Sequence, residues 1–209
     1  MRNVGAIILA AGGSSRLGRP KQLLTFRGET LVRRAVRAAA EAGCDPVILV
    51  VGAMSDTIRS EIAIRESRIA SSWASGVGAR TIVVENTEWQ NGVDTSIRRG
   101  LEQLPESLEA VVLIACDQPF VDASVIAELI AAYEKTGKPM IASSYADTLG
   151  VPALFDHCCF ADLLALPAGF GAKTLMTTQP NDVAVVAFEL GAIDIDTPED
   201  FERLTASAD

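Results

Sequence analysis

The chain has 209 residues, 49% of them hydrophobic and 5% aromatic, with 18 Lys and Arg against 27 Asp and Glu and a formal charge of −9. That length suffices for one domain, residues 1–209, around an Ala/Val/Ile/Leu core. The acidic balance argues against nucleic acid or an anionic membrane as partner, and no apolar run is long enough to span a bilayer.

Val4–Leu9 reads as a buried first strand, and it empties into Ala10-Ala-Gly-Gly-Ser-Ser-Arg-Leu-Gly-Arg-Pro-Lys21. This loop is rich in small residues and carries the cations Arg16, Arg19 and Lys21. Gly12, Gly13 and Gly18 leave backbone N–H groups free to approach phosphate oxygens. Seven of the 18 Lys and Arg fall between Arg16 and Arg37, opposed only by Glu29. An acidic protein with one cationic segment suits a small anionic ligand; Arg33, Arg34 and Arg37 are expected on a solvated helix face.

Thr30 then begins a helix as N-cap, running to about Ala42 with Gly43 as its stop. Pro46–Val51 is a second strand and Ser55 to about Arg65 a second helix. Ser71–Ala79 reads as an irregular loop before a third strand, Thr81–Val84. Asp94–Leu104 is helical, Ala110–Ala115 is a very apolar fourth strand, and Asp122–Lys135 is a helix followed by Gly137. Met140–Ser143, Ala184–Phe188 and the short Ala192–Ile195 are further strands, and Pro198–Leu204 starts a last helix with Pro at its first position. Apolar strands alternating with amphipathic helices predict an α/β fold, a three-layer αβα Rossmann-like sandwich on a mainly parallel sheet. Ligands of such sheets sit at the carboxyl ends of the strands.

Asp117 directly follows the fourth strand, at the same rim as the cationic loop. Mg²⁺ is held by one or two carboxylates together with substrate phosphates. A second acid is expected from Asp194-Ile-Asp196-Thr-Pro-Glu-Asp200: Asp196, with Asp194 as the alternative, while Glu199 and Asp200 serve the helix N-terminus. Cys44, Cys116, Cys158 and Cys159 form no C-x-x-C pair. The apolar N-terminal run is too short for a signal peptide, so a reducing cytoplasm is the expected compartment. The single histidine, His157, is expected to be structural or at the surface. The loop is neither G-x-x-x-x-G-K-[ST], since Arg19 follows Gly18, nor G-x-G-x-x-G.

These segments, in this order, resemble the MobA-like NTP transferase family, and within it the molybdenum cofactor cytidylyltransferases, from Ile7 to about Leu204. The family's L-A-A-G-x-x-x-R-x-G-x-x-K matches Leu9, Ala10, Ala11, Gly12, Arg16, Gly18 and Lys21. Its middle motif, N-x-x-W-x-x-G-x-x-x-S-x-x-x-G-L, is similar to Asn86, Trp89, Gly92, Ser96, Gly100 and Leu101. Gly150-Val-Pro152-Ala-Leu-Phe155 resembles its acceptor-side G-x-P-x-x-F. The resemblance implies the nucleotide-diphospho-sugar transferase type of fold. It implies a triphosphate on the first loop, with Gly13 contributing, base and ribose near Asn86, Gly92 and Ser96, and Mg²⁺ between Asp117 and Asp196. Lys21 would serve the α-phosphate and Arg16 the β- and γ-phosphates.

The implied reaction transfers CMP from CTP to the terminal phosphate of molybdopterin, releasing pyrophosphate. An ionised phosphate is already a nucleophile, so no general base is needed. Leu9-Ala10-Ala11-Gly12 is similar to the cytidine-using group, whereas guanine-using relatives read Leu-Ala-Gly-Gly. Two departures stand out. The acceptor motif Gly-Asp-x-Gly-Ala-Arg is Gly169-Phe170-Gly171-Ala172-Lys173 preceded by Ala168, with the acid missing and Lys in place of Arg, which loses bidentate phosphate recognition. Cys116 precedes Asp117 where Gly is usual. The acceptor therefore stays open, with Gly150, Pro152, Gly171 and Lys173 as its expected contacts and a molybdoenzyme or its chaperone as a possible recipient. Alternatives are GTP as donor, a sugar or other small phosphate as acceptor, or a nucleotide-binding cofactor-delivery protein that does not turn over. A dinucleotide-dependent oxidoreductase is disfavoured, because its glycine pattern and ribose-binding acid are missing.

Overall fold

The computed structural model describes residues 3–69 and 80–206, the side chains of 64–69 excepted. Ser71–Ala79, expected as an irregular loop, lies outside the described residues. In chain order the elements are β1 (Val4–Ala10), a small hairpin of β2 (Thr25–Phe26) and β3 (Glu29–Thr30), α1 (Leu31–Glu41), β4 (Val47–Val51), α2 (Ser55–Ile69), β5 (Thr81–Glu85), α3 (Val93–Leu101) and β6 (Ala110–Ala115). There follow α4 (Ala123–Thr136), β7 (Met140–Tyr145), β8 (Thr148–Asp156), α5 (Phe160–Leu164), α6 (Lys173–Thr178), β9 (Val183–Ala187) and α7 (Pro198–Ala206).

The main sheet has the order β5-β4-β1-β6-β8-β7-β9. Its neighbours pair in parallel except where β8 meets β6 and β7, so β8 alone is reversed. The strands are apolar throughout because both faces are covered. Val4, Ala6, Ile8 and Ala10 of β1 pack towards α1, α2 and α4, while Ile7 packs towards α3, α5 and α6. β6 divides the same way, Ala110, Val112 and Ile114 against Val111 and Leu113. Each fully buried Ile or Leu stabilises the fold by about 1.5–3 kcal/mol relative to exposure. α3 lies close on β1 because Gly100 has no side chain; a Cβ there would stand 2.6 Å from Ile7 Cγ2. This is the three-layer, mainly parallel αβα architecture expected from the sequence.

Some expectations are corrected. Gly150–Phe155, read only as a motif, belongs to the nine-residue strand β8; its Gly and Pro disguise it, since both are rare inside strands. Ala192–Ile195 is not a strand. A 3₁₀ turn, Glu189–Ala192, leads into an extended segment whose Ile195 N–H donates to Asp117 O at 3.1 Å. Nor is the arginine face of α1 simply solvated. Arg33 is only 10% exposed at its side chain and donates to Glu61 O. Arg34 donates twice to Pro119 O and lies over the Phe26 ring, and Arg37 pairs with Glu29 and Glu41.

A third apolar cluster joins Leu17, Leu24, Phe26 and Leu31 to Ile195 and Leu204. It ties the cationic loop to the segment that carries Asp196. Among the described residues no helix is long and apolar enough to cross a membrane.

Candidate active site

β1 and β6 lie side by side, but β1 connects onward to β4 on one flank while β6 is followed by α4 and then β7 on the other. The rim where such connections diverge is left open for a ligand. The loop leaving β1 is held there from inside by Gln22, which is 1% exposed. Its Nε2 donates to Ala10 O at 2.9 Å and Gly12 O at 2.7 Å. Ser14 Oγ donates to Gln22 Oε1 and accepts from the Lys21 N–H.

With its backbone fixed in this way, Lys21 carries its ammonium to two carboxylates. Nζ lies 2.5 Å from Asp117 Oδ2 and 2.9 Å from Asp196 Oδ1. Arg16 Nη2 takes the other Asp196 oxygen at 2.6 Å. Asp117 is positioned by the exit of β6. Asp196 is positioned by a capping box: Thr197 Oγ1 accepts from the Asp200 N–H, and Asp200 Oδ2 accepts from the N–H groups of Thr197 and Asp196. The Thr197 hydroxyl, which donates to Asp200 Oδ2 at 2.8 Å, and then the Thr197 N–H hold the Asp200 carboxyl down at about 2.

The charges stabilise one another. Burial alone would lower the Lys21 ammonium, but Asp117 and Asp196 outweigh it and hold Lys21 above the ordinary lysine range. The Lys21 hydrogen bond, against some burial, holds the Asp196 carboxyl below the usual carboxylate range. Asp194 goes the other way, raised by burial and then by the Asp117 and Asp196 carboxylates.

Above this cluster lies a cavity of about 540 Å³. Leu9, Ala11, Gly12, Lys21 and Asp117 form one wall, Trp89, Gly92 and Ser96 a second, and Tyr145, Gly150, Gly171 and Lys173 a third. The Trp89 indole lies against two glycines. A Cβ at Gly13 would stand 2.9 Å from Trp89 Cη2, and one at Gly52 2.8 Å from Cγ. Tyr145 is wedged between Gly150 and Gly191, where Cβ atoms would lie 1.9 Å from its Oη and 2.5 Å from its Cδ1. Its hydroxyl donates to Val151 O, which also accepts from Gln118 Nε2. Lys173 Nζ donates to Thr148 Oγ1.

The segment Ala168–Lys173, which lacks the expected acid, is anchored from outside itself. Buried Asp94, 3% exposed, accepts the Gly169 N–H at 2.7 Å. Gly92, at φ 136°, passes so close that a Cβ would stand 2.7 Å from Gly169 Cα.

Not every expected residue faces the cavity. Asn86 is a buried brace: Nδ2 donates to Thr95 Oγ1 and Ser96 Oγ, and Oδ1 accepts from the Glu88 N–H. Ala10 is core, Gly13 backs onto Trp89, and Gly18 supplies a positive-φ turn, at 71°. Pro152 accepts from Ser143 Oγ within the sheet. Gln22, Asp94, Gly52 and Tyr145 were not anticipated. Their roles depend on contacts across the fold, and only the polarity of Gln22 and Asp94 beside the motifs hinted at them.

Two partly exposed carboxylates converging on one cation are a donor set suited to a hard divalent ion that completes its shell with phosphate and water oxygens. Among the described residues no group of three or more His, Cys, Asp or Glu is placed to hold a metal, so these two would be the protein's share.

Residues 6–183 match the MobA-like NTP transferase domain. The chain is 26% identical over 210 residues to nicotine blue oxidoreductase of Paenarthrobacter nicotinovorans, covering 96% of each. It is 27% identical over 187 residues to the bifunctional protein GlmU of Mycobacterium avium, whose length it spans only to about a third (32%). Among solved structures it superposes on Rv0371c of Mycobacterium tuberculosis with a TM-score of 0.76 and 28% identity over 99% of both chains. Rv0371c has also been solved in complex with manganese.

Proposed function

The chain belongs to the MobA-like NTP transferase family, a family of nucleotidyltransferases, and from that premise we propose that it transfers CMP from CTP to the terminal phosphate of molybdopterin and releases pyrophosphate. A phosphate oxygen of the acceptor forms a bond to the α-phosphorus, and the bond from the α-phosphorus to the bridging oxygen breaks. The observation that carries this reading is the Lys21 ammonium between Asp117 and Asp196 at the floor of a cavity large enough for a nucleotide.

Lys21 neutralises charge at the α-phosphate, and Arg16 serves the β- and γ-phosphates and the departing pyrophosphate. Asp117 and Asp196 would hold Mg²⁺, which offsets phosphate charge when bound. Ala11 in the cavity wall, where guanine-using relatives carry Gly, supports the smaller base. Gly150, Gly171 and Lys173, which line the cavity, would contact the acceptor, and a molybdoenzyme or its chaperone would receive the product. The test is pyrophosphate release from each of the four ribonucleoside triphosphates with purified molybdopterin. CTP alone should support it; release from GTP instead, or with a sugar phosphate instead of the pterin, would replace the substrate assignment, and binding without release would make the chain a delivery protein.

A second reading, oxidoreduction, is favoured by one finding, the full-length similarity to nicotine blue oxidoreductase. It requires a redox change of nicotine blue when the chain and an electron donor or acceptor are added, and no pyrophosphate from any triphosphate. Both readouts can be taken on the same preparation.

A further inference from the structure

We propose that the Lys21 ammonium is the resident cation of the Asp117–Asp196 pair, and that a divalent ion enters only together with a triphosphate that draws the ammonium away. This rests on the site being a metal–triphosphate centre.

Three of the four carboxylate oxygens are already in use. Asp117 Oδ2 and Asp196 Oδ1 are bound by Lys21, and Asp196 Oδ2 by Arg16. The side chains are sheltered, with exposures of 17% for Lys21, 20% for Asp117 and 30% for Asp196. A divalent ion added to the same oxygens would stand beside a cation only a few ångströms away, where water screens poorly. The pair is also no longer a bare dianion, so its pull on a second cation is reduced.

The ammonium can leave only if it finds another anion. Lys21 lines the cavity, and its flexible four-carbon stem can swing while the backbone stays pinned by Ser14 and Gln22. A triphosphate in that cavity would supply oxygens for the ammonium and further donors for the metal at once. Metal and nucleotide then promote each other's binding, reciprocally and by on the order of ten- to a hundredfold.

The experiment is a nucleotide-free titration with Mn²⁺, followed by electron paramagnetic resonance of the free ion, on the whole chain. Wild type should bind weakly. Lys21→Met should bind at least about tenfold more tightly, and adding Asp196→Asn should abolish the gain. Circular dichroism and a thermal melt verify folding, with Lys21→Gln as the replacement if Lys21→Met does not fold. Unchanged, weaker or undetectable Mn²⁺ binding in the folded variant overturns the proposal. Because no nucleotide is present, that failure is separate from a failure of pyrophosphate release, which would strike the substrate reading instead.

Discussion

Lys21 and Gln22 are consecutive, yet they serve opposite sides of one loop. Gln22 turns inward and donates to the carbonyls of Ala10 and Gly12. Lys21 turns outward and binds Asp117 and Asp196. One residue fixes the loop's shape and its neighbour supplies the charge, so the two roles can be separated by mutation.

Lys21→Ala and Asp117→Ala should lower the rate of pyrophosphate release by about a hundred- to a thousandfold, the usual loss for one preorganised charge. The far-ultraviolet circular dichroism should stay that of wild type. Near-wild-type kinetics in either variant would remove its assigned role.

Gln22→Ala should act mainly on stability. It leaves the buried Ala10 carbonyl and the part-buried Gly12 carbonyl without this donor, at a cost of about 1–3 kcal/mol. Urea unfolding measures that cost. Nucleotide affinity should weaken too, because the loop loses its internal strut; an unchanged unfolding midpoint would show that water replaces the amide.

Acid should weaken the Asp196 anchorage in a defined direction. A carboxyl held below its unfolded value stabilises the fold above that value, 3.8, and the contribution is lost as pH falls through the lower folded value. Lys21, held above 10.5, contributes below that value and loses its contribution only as pH rises beyond it. The stability difference between wild type and Asp196→Asn should therefore be level between about pH 5 and pH 10 and shrink towards acid. Asp194 titrates in the opposite sense and owes part of its rise to Asp196, so both proteins should carry Asp194→Asn when urea midpoints are followed in a pH series.

Gly150→Ala should destabilise the acceptor wall by about 1–3 kcal/mol, the usual cost of overpacking. Tyr145 has little room to retreat, because Gly191 lies against its ring, where a Cβ would stand 2.5 Å from Cδ1. In a Tyr145→Ala background the same substitution should cost much less. Equal costs in both backgrounds, measured by a double-mutant cycle, would mean that the clash is relieved elsewhere.

The cationic loop and Asp117 were readable in the sequence because their chemistry is concentrated in short runs directly after strongly apolar strands. The layers were readable because strands covered on both faces must be apolar throughout. β8 was hidden by Gly150 and Pro152, and the β2–β3 hairpin by strands of two residues each. The extended segment after Ala192 imitates a strand because Ile195 is buried and its N–H reaches Asp117 O, but no ladder forms. α3 ends at Leu101 because Gln103 and Leu104 close three-residue bonds to Gly100 and Leu101. Asn86 was placed at the nucleotide through its motif, yet its amide is consumed in holding Thr95, Ser96 and Glu88. Asp94 escaped notice because its partner, the Gly169 N–H, lies 75 residues away.

The apolar cluster that joins Leu17 and Leu24 to Ile195 and Leu204 bears on synthesis of the chain. A ribosome that has translated β1 and its loop has made the cationic loop but neither Asp196 nor the half of the cluster that seats it. Lys21 and Asp196 are separated by 175 positions, so the nascent polypeptide holds its basic arm without its distal acid until all of that intervening chain has been made. Competence would arrive abruptly, with the emergence of residues 195–204.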